Sequence, residues 1–130
     1  MSGLGLSAAD LTLVHTVAAR RAGVLPGQLD PGQLGEAAAW PQAETDGVAR
    51  FPSPFTRAAA QAEAAARIVP RAASLTALLA LVTRLGREGY VLVAPQGVLA
   101  GMVAGMVAGR IDAAGLGRWI EDRAVLEGGG

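Results

Sequence analysis

The chain has 130 residues, of which 52% are hydrophobic and 17% are charged, and this composition predicts a folded domain rather than a disordered chain. Eleven basic residues balance eleven acidic ones, so charge gives no reason to expect nucleic acid or an anionic membrane as a partner. The absence of cysteine excludes a disulfide scaffold, a thiol nucleophile and a thiolate metal site, and it fits a cytoplasmic location.

Helix caps and prolines predict three helices in the first half of the chain. Ser7, followed three residues later by Asp10, is typical of a capping box, and apolar residues then recur at helical spacing. Asp30 and Ser53 are each followed by a proline, which is the usual order of an N-cap and a first helical residue. The predicted helices cover residues 7–21, 30–40 and 53–68, and the polar stretch 41–52 is predicted to be a surface loop.

The second half of the chain predicts three more helices. Ser74 is predicted to cap a strongly apolar fourth helix that stops near Glu88, and residues 90–94 form a short extended run. The fifth helix is predicted over residues 96–108 and the sixth from Asp112 through Ile120. Alternating strand patterns are nearly absent, so we expect an all-α, single-domain bundle of about six helices over residues 1–127, with a disordered glycine tail at 128–130.

Residues 91–109 carry no charge and are long enough to be considered as a membrane span. Pro95 divides this run and four glycines lower its hydrophobicity, so we favour the buried helix of a bundle and no membrane partner. Within the run, Gly101 and Gly105 repeat at a spacing that lets helix backbones approach closely. We favour packing against a neighbouring helix of the same chain; a self-association face that includes Met102 and Met106 is the alternative.

Ionisable side chains are few, which limits the possible chemistry. The chain has no lysine and no asparagine, and His15 is its single histidine, so Schiff-base chemistry, a Walker lysine and a multi-histidine metal site are excluded. We expect His15 to be structural and no residue to be a metal ligand. Polar residues around the proline break at Pro70 are candidates for binding an anion or a partner, because free backbone N–H groups at a helix start attract anions. These candidates are Arg57, Arg67, Arg71, Ser74 and Thr76. The favoured alternative is that Ser74 is only an N-cap and the arginines are solvated.

Three stretches, in this order, resemble the Fic/Doc (death-on-curing) family. Residues 9–41, ADLTLVHTVAARRAGVLPGQLDPGQLGEAAAWP, resemble the family's opening, which is a His-bearing helix, a Gly-x-x-Gly-x-x-Asp loop and a helix that ends before a proline. Residues 51–70, FPSPFTRAAAQAEAAARIVP, are similar to its aromatic-proline loop and alanine-rich helix, and SPFTRAAA is similar to the start of this helix in toxin components of Fic-type toxin–antitoxin pairs. Residues 76–95, TALLALVTRLGREGYVLVAP, are similar to its Thr-Ala helix and Gly-Tyr step.

The family's catalytic motif is altered in this chain. Active members carry His-Pro-Phe-x-Asp/Glu-Gly-Asn-Lys/Gly-Arg-Thr-Ala, in which the histidine is the base, the carboxylate holds the metal and the Gly-Asn segment cradles phosphates. Residues 69–77 of this chain read VPRAASLTA, about two residues shorter. Pro70, Thr76 and Ala77 match the motif, whereas Val69 stands in place of the base and no carboxylate lies in the loop.

The resemblance implies the toxin-side component of a toxin–antitoxin pair, with its catalytic motif degenerate and a protein partner such as an antitoxin helix in its groove. A divergent active transferase is the alternative, with ATP and Mg²⁺ as cofactors and phosphates held by Arg67, Arg71 and Ser74. In that case Glu63 is the nearest upstream carboxylate for a metal. A third possibility is a structural subunit that forms a homo-oligomer through Gly101 and Gly105.

Overall fold

The computed structural model describes residues 5–127, which fold mostly into α-helices. The helices are α1 (Ala8–Arg21), α2 (Pro31–Ala39), α3 (Pro54–Ile68), α4 (Ala73–Arg87), α5 (Gln96–Val107) and α6 (Ala113–Glu121). Two antiparallel ribbons pair β1 (Glu44–Thr45) with β2 (Val48–Ala49) and β3 (Tyr90–Leu92) with β4 (Ala124–Leu126). The six predicted helices are thereby confirmed, and the predicted disorder of residues 128–130 lies outside the described residues.

Side-chain caps begin four of the helices where the sequence predicts them. Ser7 and Asp10 form the capping box of α1, and Asp30, Ser53 and Asp112 each accept a hydrogen bond from the backbone N–H three residues later. Helix α4 differs, because its N-cap is Ala72, in the left-handed region at φ 54°, and no side chain caps it. The prediction that Ser74 caps this helix was wrong. Only residues 69–72 link α3 to α4, so the chain must reverse at Ala72, and Ser74 lies inside the first turn.

The two ribbons are the main departure from the all-α prediction. The expected loop 41–52 contains a short 3-10 turn, Trp40–Gln42, and the β1–β2 hairpin, whose turn residues Asp46 and Gly47 have positive φ. The extended run after Gly89 is confirmed as β3, but its partner β4 was not predicted. Residues Val91 and Val125 are direct partners although 34 positions separate them, so no local pattern indicates the pairing.

Helix α3 lies at the centre of the fold and packs against α2, α4 and α6. Six of its seven alanines are buried, and alanine side chains allow neighbouring helix backbones to approach closely. Leu81 and Leu85 of α4 and Leu116 and Ile120 of α6 complete one apolar cluster. Within residues 5–127 no helix has both the length and the hydropathy to cross a membrane.

The closest approach in this packing is between α6 and the start of α3. A Cβ added to Gly117 would lie 2.6 Å from Thr56 Cγ2 and 2.9 Å from Thr56 Cα, so backbone would have to move. We predict that Gly117→Ala lowers the free energy of unfolding by about 1–3 kcal/mol, despite the higher helix propensity of alanine. Urea denaturation measures this change. Gly35→Ala is the matched control, because a Cβ at this position of α2 meets nothing within 4 Å among the described residues. This substitution should stabilise the protein. Equal effects of the two substitutions would contradict the close α3–α6 packing.

Candidate functional site

The turn between α3 and α4 brings together three of the residues singled out from the sequence. Arg67 lies in the last turn of α3, Arg71 is exposed in the link and Ser74 is exposed in the first turn of α4. The Arg67 side chain is 67% exposed, and its Nη2 lies 3.5 Å from Oε1 of Glu63, one helical turn earlier. Such an exposed pair contributes little stability, so Arg67 is free to exchange Glu63 for another acceptor.

Arg57 and Thr76 do not join this group. Arg57 lies ten residues before Arg67 on α3, which places the two about 15 Å apart along the helix axis. Its Nη1 donates to the backbone oxygens of Phe51 and Pro52 at 3.3 and 3.0 Å, so the guanidinium fixes the loop that precedes α3. Thr76 is only 1% exposed and cannot contact a ligand at the surface. The predicted five-residue cluster is therefore reduced to Arg67, Arg71 and Ser74.

Thr76 pairs instead with the single histidine. Nδ1 of His15 is hydrogen-bonded to Oγ1 of Thr76 at 3.2 Å across the α1–α4 interface, and His15 is also 1% exposed. Nε2 of His15 is buried without a hydrogen-bond partner among the described residues. Burial disfavours the charged imidazolium and lowers the pKa of His15 below its ordinary value. The imidazole is held in the interior, facing α4, and does not reach the exposed link.

Carboxylates are sparse around the turn. In the described range no three histidine, aspartate or glutamate side chains are grouped so that they could hold a metal ion. Glu63, the carboxylate named for a metal under the transferase alternative, is paired with Arg67. The link itself contributes Val69, Pro70, Arg71 and Ala72, none of which can act as a base near neutral pH.

A groove of about 260 Å³ runs between α2 and α3 next to this turn. Its apolar side chains are Ala37, Trp40, Ala64 and Ile68, and Gln33, Glu36 and Arg67 supply polar and charged groups of both signs. Trp40 is held in place by an edge-on contact with Phe51 and by the guanidinium of Arg50, 5.1 Å from its ring centre. Arg67 also lines a smaller depression of about 220 Å³ between α3 and α5, so it stands between two open concavities.

Two buried polar residues that the sequence reasoning missed, Gln61 and Arg84, connect α3 to α2 and α4. Gln61 of α3 is fully buried, where its Oε1 accepts from the N–H of Leu6 at 3.1 Å and from Nη1 of Arg84 at 2.7 Å. Its Nε2 donates to the backbone oxygen of Ala37 at 3.3 Å, which ties α3 to α2. Gln61 and Arg84 each lie within the apolar stripe of their helix. A polar residue at such a position is the sequence signal that could have identified them.

The glycine-rich helix α5 is arranged differently from the prediction. A Cβ on Gly101 or Gly105 would meet nothing within 4 Å in the described part of the chain. The prediction that these glycines pack against a neighbouring helix of the same chain was therefore wrong. Met106 is 3% exposed and Met102 packs against the core, so both methionines face inward. Helix α5 turns Leu99 and Val103 to the core, so its glycines face outward. The methionines therefore do not share a face with the glycines, as the predicted self-association surface requires.

Comparison with known proteins gives no relative: no protein-family model matches the sequence, and no curated protein matches it significantly.

The buried imidazole predicts a specific dependence of stability on pH. Because the folded pKa of His15 is lowered, the unfolded chain binds the proton more readily, so stability falls as the pH drops below the unfolded pKa of about 6.5. We predict that the non-titrating variant His15→Gln loses this part of the pH dependence, which cannot exceed about 1.4 kcal/mol per pH unit. Thermal unfolding between about pH 7.5 and pH 5 measures the two slopes. Parallel slopes for the two proteins would contradict the role assigned to His15.

Proposed function

We propose that this chain is a Fic/Doc-like, toxin-side component of a toxin–antitoxin pair that acts by binding a protein rather than by catalysis. The link between α3 and α4 is the observation that carries the proposal. At the position that resembles the family's catalytic motif, two well-packed helices are joined by residues 69–72, which contain no base and no carboxylate. A helical scaffold of this kind supports binding, whereas phosphoryl transfer requires groups that position a metal and phosphates.

The order of the helices supports a Fido-like fold as part of the same proposal. The His-bearing α1, the proline-capped α2, the alanine-rich α3 and the Thr-Ala helix α4 follow one another as in the stretches that resemble the family. The hairpin β1–β2 occupies the segment before α3, and α5 and α6 follow the Gly-Tyr step at Gly89. Because fold similarity does not carry function, the proposal of binding rests on the link and the groove rather than on this order.

The groove between α2 and α3 is the proposed binding site for the partner. Its floor is apolar, which suits the apolar stripe of an amphipathic helix, such as the C-terminal segment of an antitoxin. Glu36 and Arg67 offer one charge of each sign at the edge and would fix the register of a helix with charged flanks. The exposed Arg67 can pair with a carboxylate of the partner after releasing Glu63.

One observation favours the transferase alternative, in which ATP and Mg²⁺ bind at the turn. The start of α4 has no side-chain cap, so its first backbone N–H groups are free, and Arg71 lies directly before them. These groups could hold phosphates, but residues 69–72 offer no base. We therefore place this alternative second, and calorimetry with ATP and Mg²⁺ distinguishes it.

Replacing residues 69–77 by the Fic/Doc catalytic motif tests two parts of the proposal: the Fido-like fold and the absence of catalysis in the unaltered chain. We predict that the unaltered chain shows neither ATP–Mg²⁺ binding by calorimetry nor phosphoryl or nucleotidyl transfer to lysate proteins. A variant in which residues 69–77 are replaced by the eleven-residue family motif should gain ATP–Mg²⁺ binding, because α4 already supplies the helix N-terminus that cradles phosphates.

The control for this experiment is the same replacement with alanine in place of the motif carboxylate, which should bind ATP without the Mg²⁺ dependence. Transfer by the unaltered chain that persists in Arg71→Ala would contradict both the binding function and the importance of the link. A folded motif-restored variant that fails to bind ATP would contradict the Fido-like scaffold.

Charge reversal tests the groove. We predict that Arg67→Glu weakens binding to the proposed antitoxin partner, identified by co-purification with the unaltered chain, by about tenfold to a hundredfold, since it replaces an attractive rim charge by a repulsive one. Co-expression followed by calorimetry of the purified pair gives the affinity. Arg118→Glu, which reverses an exposed arginine on α6 away from the groove lining, is the matched control and should leave the affinity unchanged. Equal affinities for the two variants would exclude the groove between α2 and α3 as the binding site.

A further inference from the structure

Helix α5 exposes an apolar face that nothing in the described chain covers. Residues 89–109 contain no charged side chain, and a helix that is apolar on all sides is normally buried on all sides. In this fold only Leu99, Val103 and Met106 are buried, whereas Val98 is 48% exposed and Gly101 is exposed. Within residues 5–127, a Cβ placed on Gly97, Gly101 or Gly105 would meet nothing within 4 Å.

The apolar surface continues from α5 onto its neighbours. A groove of about 350 Å³ is lined by the second half of α4, by β3 and by the first turn of α5, so these three elements surround one depression. Val91 and Val125 are direct partners in the ribbon and therefore lie on the same face of it. Six of the large exposed hydrophobic residues lie in these elements, in β4 or directly after β3: Val82, Val91, Val93, Val98, Val125 and Leu126.

We infer that this surface, the outer face of α5 together with the β3–β4 ribbon and the groove beside them, is where two copies of the chain associate. It shares no residue with the groove between α2 and α3 and does not depend on the proposed function.

Charge is the first reason that the occupant is a second copy. Glu127 is the one charged residue among those that line the groove, and α5 has none, so the surface has no charge with which to select an acidic or a basic partner. Apart from Glu127, two such surfaces present no like charges to each other, and the chain has no net formal charge that would oppose association. An uncharged apolar surface is therefore complementary to itself, as a two-fold interface requires.

Shape and area are the second reason. The outward glycines allow two α5 helices to cross with their backbones close together, so that flanking side chains such as Val98 meet across the axis. The face of a twelve-residue helix is about 18 Å long and about 10 Å wide, so it covers only roughly 180 Å² of the roughly 800 Å² per partner of a stable interface. The ribbon and the groove extend it towards that size, and we expect a dimer with a Kd in the micromolar range.

Sedimentation equilibrium from about 1 to about 500 µM brackets such a Kd and tests the inference. The unaltered chain should pass from monomer to dimer over this range. Gly101→Arg, which places a charge on the face without a clash inside the monomer, should remain monomeric throughout. Gly35→Arg, on α2 in equally open surroundings, is the matched control and should dimerise as the unaltered chain does. A chain that stays monomeric at every concentration, or a dimer that Gly101→Arg leaves intact, would overturn the inference.

A disulfide provides a second, geometric test. Because the chain has no cysteine, Gly101→Cys introduces a single thiol, and near a two-fold axis two such thiols come within bonding distance. Oxidation should give covalent dimers at least about tenfold faster for Gly101→Cys than for Gly35→Cys, since association raises the effective concentration of the thiols. Equal rates for the two proteins would show that the α5 faces do not meet.

Discussion

The alanines of α3 set the distance at which the neighbouring helices pack, and the rest of the fold depends on that short distance. Ala58, Ala59 and Ala60 are fully buried, and α2, α4 and α6 approach the helix from different sides. Each alanine buries little apolar area, so cohesion comes from close contact along the whole helix rather than from a few large side chains. The position of Gly117 against Thr56 follows from the same constraint, because a larger residue would separate α6 from α3.

Close packing around α3 also determines how the polar groups in the interior are satisfied. Gln61 must find its partners in the protein, and it takes them from Leu6, Ala37 and Arg84. Arg84 has no carboxylate within salt-bridge distance among the described residues, and burial lowers the pKa of its guanidinium. Loss of Gln61 would remove the amide oxygen that accepts a hydrogen bond from this buried guanidinium. Arg87 of α4 holds the first turn of α1 in a similar way. It donates to both carboxylate oxygens of Asp10 and holds the pKa of that carboxyl well below its usual range.

The parts of the fold that could be predicted are those that depend on residues close together in the sequence. Caps and prolines placed the helices, because a cap and the N–H it satisfies are three residues apart. The pairing of β3 with β4 and the inward position of Thr76 depend on residues far away in the chain, which no local pattern reports. The prediction that the glycines of α5 pack against another helix was wrong. A four-residue spacing of glycines permits close helix packing, but it does not show whether a neighbouring helix is present. At the site, charge identified Arg67 and Arg71, but it could not separate them from Arg57 along the same helix.

The residues that match the family's catalytic motif are those that the fold itself requires. Thr76 is bonded to His15, Ala77 is fully buried in the α3–α4 contact, and a side chain on Gly27 would overlap Pro70, so the preceding loop packs against that proline. Arg71 and Ser74 are exposed instead, and within residues 5–127 no side-chain hydrogen bond ties either of them to the core. A partner can contact such exposed side chains without disturbing the packing beneath them, which is the arrangement that the proposed binding function requires.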